Sequence, residues 1–215
     1  MSDISDIIAE IDSNRLRRAK ELSEIKVRMD EVGKKSSYGV HSKSLIVLSY
    51  AHWEGFYNEC AISYVNALKL DGKKVGDTSW PLLIGVLRPG LQSLRDKNHS
   101  SDAEVEFVES LKNKLQTNFT EFDISVVLSK SNLNFHRLDR NFRVLGFDIQ
   151  PFQEWRLKID KELVGWRHSV AHGDDPDLST LDLFHHIQFT QRLLLLLADN
   201  FQKGISEQCD SVDSQ

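Results

Sequence analysis

Pro151–Gly173 reads PFQEWRLKIDKELVGWRHSVAHG, and the spacing of its large apolar side chains decides the fold class. Phe152, Trp155, Ile159, Leu163, Trp166 and Val170 follow one another at intervals of 3, 4, 4, 3 and 4 residues. That period places them on one face of an amphipathic helix. Pro151 suits the first turn, and Gly173, followed by Asp174-Asp175-Pro176, stops the helix. With one face buried, Arg167 turns partly away from the core and His172 falls in the last turn.

The same period recurs outward along the chain. Ile4, Ile7, Ile8, Ile11, Leu22, Ile25, Met29 and Val32 mark a long N-terminal helix with a polar middle, Arg15 to Lys20. Lys34–Gly39 reads as a turn, and a second long helix runs from about Ser42 to Leu70. Asp71–Asp77 is a loop by its glycines and charges. A short helix begins near Trp80-Pro81, and Ser101-Asp102-Ala103-Glu104 has capping-box spacing ahead of another. Ile124–Leu128 is either a short strand or a buried loop. The helical pattern returns from Asn132 to Leu145 and stops at Gly146. Ser179-Thr180-Leu181-Asp182 opens the final helix, whose Leu181, Phe184, Ile187 and Leu193–Leu197 are apolar over more than one face; such a helix is central or shared with another subunit. The expected architecture is all-α: a single domain over residues 1–204 with about four core helices and additional short ones. Its N-terminal amphipathic helix spans 1–38 and its core 41–203, and the polar stretch 205–215 is expected to be a disordered tail.

Composition narrows the class. The chain has 215 residues, 40% hydrophobic and 27% charged, enough for one well-buried core. No apolar run approaches the length of a membrane span, since Leu193–Leu197 is bounded by Arg192 and Asp199. The N-terminus is acidic where a secretion signal would be basic, so a cytoplasmic protein is expected. Two cysteines far apart, Cys60 and Cys209, offer neither a disulfide framework nor a metal knuckle. A net charge of −5 argues against coating nucleic acid by bulk attraction. Within Lys130–His172, however, eight Lys and Arg outnumber five Asp and Glu, so the motif-bearing segment is the basic part of an acidic chain.

Arg167 and His172 combine a permanent cation that clamps phosphate with the side chain that exchanges protons near neutral pH. On one straight helix their five-residue offset sets them roughly 140° apart, so they do not converge unaided. Their plain structural reading is a pair of cations favoured at the negative end of a helix dipole. His168 lies four residues before His172, a spacing at which two imidazoles share a metal; a site completed by Asp174, His185 or His186 is a competing reading. The HExxH arrangement is absent, as Ser169 takes the glutamate's place. His185 and His186 read as surface and core members of the last helix. Glu54, on a row with Ile46, Tyr50, Ala61 and Val65, reads as a half-buried carboxylate that needs a partner. Arg137, Arg140 and Arg143 form a drifting basic stripe.

Arg167-His168-Ser169-Val170-Ala171-His172, an R-x4-H pattern, together with Ser49-Tyr50-Ala51-His52-Trp53-Glu54-Gly55-Phe56, Lys130-Ser131-Asn132-Leu133 and Leu145-Gly146, resembles the HEPN (higher eukaryotes and prokaryotes nucleotide-binding) ribonucleases. The likeness covers roughly residues 41–200 and extends to a bacterial branch found in toxin-antitoxin and phage-defence loci. His168 stands where that branch more often has asparagine. The resemblance implies a HEPN-like bundle and a metal-independent endoribonuclease that needs no cofactor, acting as a homodimer whose two motifs face each other in one composite cleft. In that reading Arg167 and His172, with His168 beside them, are catalytic. Arg137, Arg140, Arg143 and Lys130 contact RNA, and Glu54 supports the cleft. The polar middle of the first helix is either solvated or touches phosphates. A cognate antitoxin or regulatory subunit is expected as a partner. The alternative is a non-catalytic HEPN module that binds a nucleotide or a partner protein.

Overall fold

The computed structural model describes residues 3–31, 39–130, 132–178 and 181–209. Their helices are α1 (Ile4–Glu31), α2 (Val40–Asp71), α3 (Leu83–Asp96), α4 (Ser101–Gln116), α5 (Phe135–Leu145), α6 (Arg156–Lys158), α7 (Trp166–Ala171) and α8 (Leu183–Cys209). No strand forms among the described residues; one antiparallel bridge joins Lys74 to Asn118. The fold is all-α, as the periodicity requires. No helix of the described residues is long and apolar enough to cross a membrane.

α2 is the centre because its buried residues cover more than one face. Trp53, Phe56, Tyr57, Cys60, Ala61 and Tyr64 are all without solvent exposure. α1 and α8 pack along it and against each other. Leu193, Leu194 and Leu197 are buried within the single chain, so the central reading of the last helix holds. Gln191 and Gln202 of α8 donate to the Ala19 and Ile8 carbonyls of α1, at 2.9 and 3.2 Å. Phe147 lies on Gly204, where a Cβ would come within 2.3 Å of the ring. From there an aromatic cluster runs through Phe201, Tyr64 and Phe142 to Phe152, with ring centroids 4.9–6.2 Å apart.

Several local expectations are refined. Ile124–Val126 is a single 3-10 turn, and Val126 and Val127 are buried, so the buried-loop alternative is the correct one. The cap of α4 is Ser100, not Ser101: its hydroxyl accepts from the Ala103 amide. α5 is capped by Asn134 and closed by Gly146 in the left-handed region at φ +79°. The expected disorder is overturned for residues 205–209, since α8 continues to Cys209 with Ile205 and Cys209 buried against the core. Two apolar residues at helical spacing outweigh the polar composition around them. The turn at 34–39, apart from Gly39, lies outside the described residues, as do Val32, Ser131, Ser179, Thr180 and 210–215.

The polar middle of α1 divides in two. Arg15 and Arg17 pair with Asp12 and Glu21 on the surface. Arg18 is neither solvated nor placed to touch RNA: it is 8% exposed and reaches across to α2. One guanidinium nitrogen meets His52 Nδ1 at 3.1 Å and another donates to Glu59 at 2.6 Å. Gly55 leaves room for it, as a Cβ there would sit 3.3 Å from Nη2. Because an arginine can only donate, His52 Nδ1 is the acceptor, and the proton resides on Nε2, 3.4 Å from Glu21. Burial first, and the Arg18 cation second, hold the His52 imidazole below its ordinary pKa of 6.5.

Removing the guanidinium in Arg18→Met leaves the buried His52 nitrogen without its donor. The variant is expected to lose about 1–3 kcal/mol in denaturant unfolding, the range for a stranded buried polar group. Acid should act through the same contact. Between the lowered pKa of His52 and 6.5 the unfolded chain binds more protons than the folded one, so stability falls as pH falls through that window. Melting temperatures measured from pH 7.5 downward should drop more in the wild type than in His52→Gln. Parallel curves would exclude His52 as the source.

Candidate active site

The helix that carries the motif changes pitch just before it. Gln150–Trp155 is a 3-10 segment, and Ile159–Gly165 is a π-helix that passes directly into α7. Gly165 suits this wider turn, because a Cβ would sit 3.2 Å from the Asp160 carbonyl. A π turn inserts about one extra residue and so rotates the next helical segment by about 100° relative to a straight helix. The apolar row survives: Phe152, Ile159, Leu163 and Trp166 are buried. Trp166 packs with Ile46, Leu178 and Leu181 in a small satellite core that seats α7 on α2. Asp160 turns outward and accepts from the Phe135 amide at 2.7 Å, tying the start of α5 to the motif helix.

α7 ends as its sequence directs. Gly173, at φ +81°, donates to the Val170 carbonyl at 3.2 Å, and Asp174 donates to the Ser169 carbonyl at 2.9 Å. This Schellman pattern makes His172 the C-cap. His168 and His172 are exposed, with ring centroids 4.3 Å apart. Both stand at the C-terminal end of the helix. Lys43 of α2 pairs with Asp175 at 2.7 Å just beyond it.

Arg167 is half-buried. Its guanidinium carbon lies 4.5 Å from the centroid of the Tyr50 ring, in cation–π contact with α2. The Tyr50 hydroxyl accepts from the Leu133 amide at 3.0 Å, with the Glu54 carboxylate beside it. Glu54 in turn accepts from the Ser129 hydroxyl at 2.6 Å. Burial, reinforced by the Glu54 carboxylate and opposed by the Leu133 hydrogen bond and by Arg167, pushes the Tyr50 phenol well above its usual range. Tyr50 therefore stays protonated.

Of the residues singled out from the sequence, Arg167 and Glu54 share this cluster through Tyr50. Lys130 is exposed immediately after Ser129, at its edge. His168 and His172 group together on the exposed helix end. Arg137 is half-buried in the first turn of α5. Arg140 and Arg143 follow on its exposed face, and Arg143 is paired with Asp139 at 3.0 Å. His185 is exposed beside Asp182, whereas His186 is buried among Trp166, Phe189 and Glu162. Among the described residues no three His, Cys, Asp or Glu side chains group to hold a metal ion. Tyr50 and Ser129 were not expected at the site. The signal for Tyr50 was its place one helical turn before Glu54, where an aromatic hydroxyl meets a carboxylate; nothing local marks Ser129.

A model of the RiboL-PSP-HEPN family matches residues 13–203. No curated protein and no solved structure matches the chain. The matched range runs from within α1 to within α8 and takes in the Tyr50, Glu54 and Arg167 cluster and the His168–His172 pair. This chain belongs to the RiboL-PSP-HEPN family, a membership that points to an RNA-related function.

Proposed function

We propose that this chain is a metal-independent endoribonuclease that cuts RNA by attack of a ribose 2′-hydroxyl on the adjacent phosphate. The observation that carries the reading is the helix end itself: in a HEPN-family chain, Arg167 is braced on Tyr50 while His172 caps the same short helix with its ring exposed. The nucleophile comes from the substrate. The 2′-oxygen bonds to phosphorus, the bond from phosphorus to the 5′-oxygen breaks, and the products carry a 2′,3′-cyclic phosphate and a 5′-hydroxyl. Arg167 stabilises the charge that grows on the phosphoryl oxygens. His172 moves the protons, off the 2′-oxygen and onto the departing 5′-oxygen. His168, against His172, contacts the phosphate or orients its neighbour. Lys130, Arg137, Arg140 and Arg143 track the backbone of a longer RNA.

The catalytic unit in this reading is a homodimer with a composite cleft, supported by the angle of roughly 140° between Arg167 and His172 on one helix. The last helix lends no support to it, because α1 and α2 cover α8 within the chain. A toxin or defence effector of the cytoplasm, restrained by an antitoxin or regulatory subunit, is the setting proposed for such an activity. The competing proposal is a non-catalytic HEPN module that binds a nucleotide or a partner protein.

Purified protein incubated with total RNA in excess EDTA is expected to cleave it, and a 2′-deoxy or 2′-O-methyl group at the cut site should abolish cleavage there. DNA cleavage, or activity that returns only with added zinc, would replace this mechanism with a metal-dependent one. Arg167→Ala and His172→Ala should each remove activity and stay folded. His172→Ala should cost under about 1 kcal/mol as an exposed helix-end residue, and Arg167→Ala about 1 kcal/mol for the lost cation–π contact.

Mixing the two inactive chains tests the composite cleft. Partial recovery of cleavage in the heterodimer is expected if each cleft needs one intact copy of each residue. A fully active monomer in light scattering would sink the dimer.

A further inference from the structure

An arginine side chain has many rotamers, so a half-exposed guanidinium keeps to one position only if something outside its own helix holds it. Tyr50 is suited to do so. The residue is 2% exposed, and its hydroxyl is fixed by the Leu133 amide, with the Glu54 carboxylate beside it. The supports are themselves anchored to α2. Glu54 is bound by Ser129, whose amide donates to Asn58 at 2.9 Å, and the Leu133 carbonyl accepts from Trp53 Nε1 at 2.9 Å. The ring is therefore a rigid surface, whereas Arg167 is a flexible chain laid upon it.

We propose that Tyr50 is a positioning residue for Arg167: its buried ring is the surface on which the guanidinium is held. This rests on the ribonuclease reading for its catalytic consequence, but the positioning itself is a property of the protein alone. A misplacement of about 1 Å at a charge-stabilising group lowers turnover by up to about 100-fold, so the effect falls on kcat more than on KM.

The test combines a spectrum with kinetics on the full chain. In arginine-labelled protein, the Arg167 side-chain protons, assigned by their loss in Arg167→Lys, should resonate upfield of those of the exposed Arg140, through the ring current of Tyr50. Tyr50→Phe keeps the ring and should keep that shift, with kcat on RNA within about threefold of the wild type. Tyr50→Leu should abolish the shift and lower kcat by about 10–100-fold with a smaller change in KM. Wild-type Arg167 protons resonating with those of Arg140 would overturn the proposal, as would a folded Tyr50→Leu with wild-type turnover, or a Tyr50→Phe as defective as Tyr50→Leu in both readouts. If Tyr50→Leu does not fold, the wild-type and Tyr50→Phe spectra decide. If the wild type cuts no RNA, the ribonuclease reading fails and the spectra still decide whether Tyr50 holds Arg167.

Discussion

Tyr50, Trp53 and Tyr57 stand at positions i, i+3 and i+7 of α2, and each buries a ring in the core while its polar atom binds main chain of residues 127–133. Tyr57 donates to the Val127 carbonyl, Trp53 to the Leu133 carbonyl, and Tyr50 accepts from the Leu133 amide. Among the described residues between Ile124 and Leu133 the only helical turn is the 3-10 turn Ile124–Val126, yet Val126, Val127 and Leu133 are buried. Buried irregular backbone is tolerated only where its amides and carbonyls find partners. α2 supplies them, with Asn141 of α5 adding a second donor to the Val127 carbonyl at 2.6 Å. The position of α5, and of Lys130 and the arginines beyond it, depends on this row.

The opposite side of α2 is held by a different kind of contact. Arg18 is buried against His52 and Phe56, with Glu59 at its open edge. A buried cation is costly unless it is paired and hydrogen-bonded, so the contact selects one register of α1 on α2 more than it adds stability. Gly55 follows from the same geometry. His52 and Gly55 flank Trp53 and Glu54, so one short stretch of α2 serves α1 on one side and the motif helix on the other.

The motif helix inherits its placement from these contacts. Trp166 seats it, the π turn adjusts its phase, and the Schellman end fixes where His172 leaves the axis. Arg167 then falls on Tyr50. The chemistry proposed for Arg167 and His172 needs both groups in one cleft, and the surface on which Arg167 lies is a ring more than a hundred residues earlier in the chain.

Helix content, the order of the elements, the glycine stops at Gly146 and Gly173 and the buried row from Phe152 to Trp166 were legible in the sequence, because they depend on spacing and on backbone freedom over a few residues. The R-x4-H pattern and the need of Glu54 for a partner were legible for the same reason. The identity of that partner was not, since Ser129 lies 75 residues away and nothing local marks it. Arg18 read as surface because it sits in a run of exposed cations; its burial depends on His52 and Glu59 arriving from another helix. Residues 205–209 read as tail because local polarity hid two apolar side chains that meet the core. Local periodicity determines which residues form helices and which faces are apolar, whereas the pairing of polar groups between helices is a matter of packing, and only the tertiary structure decides it.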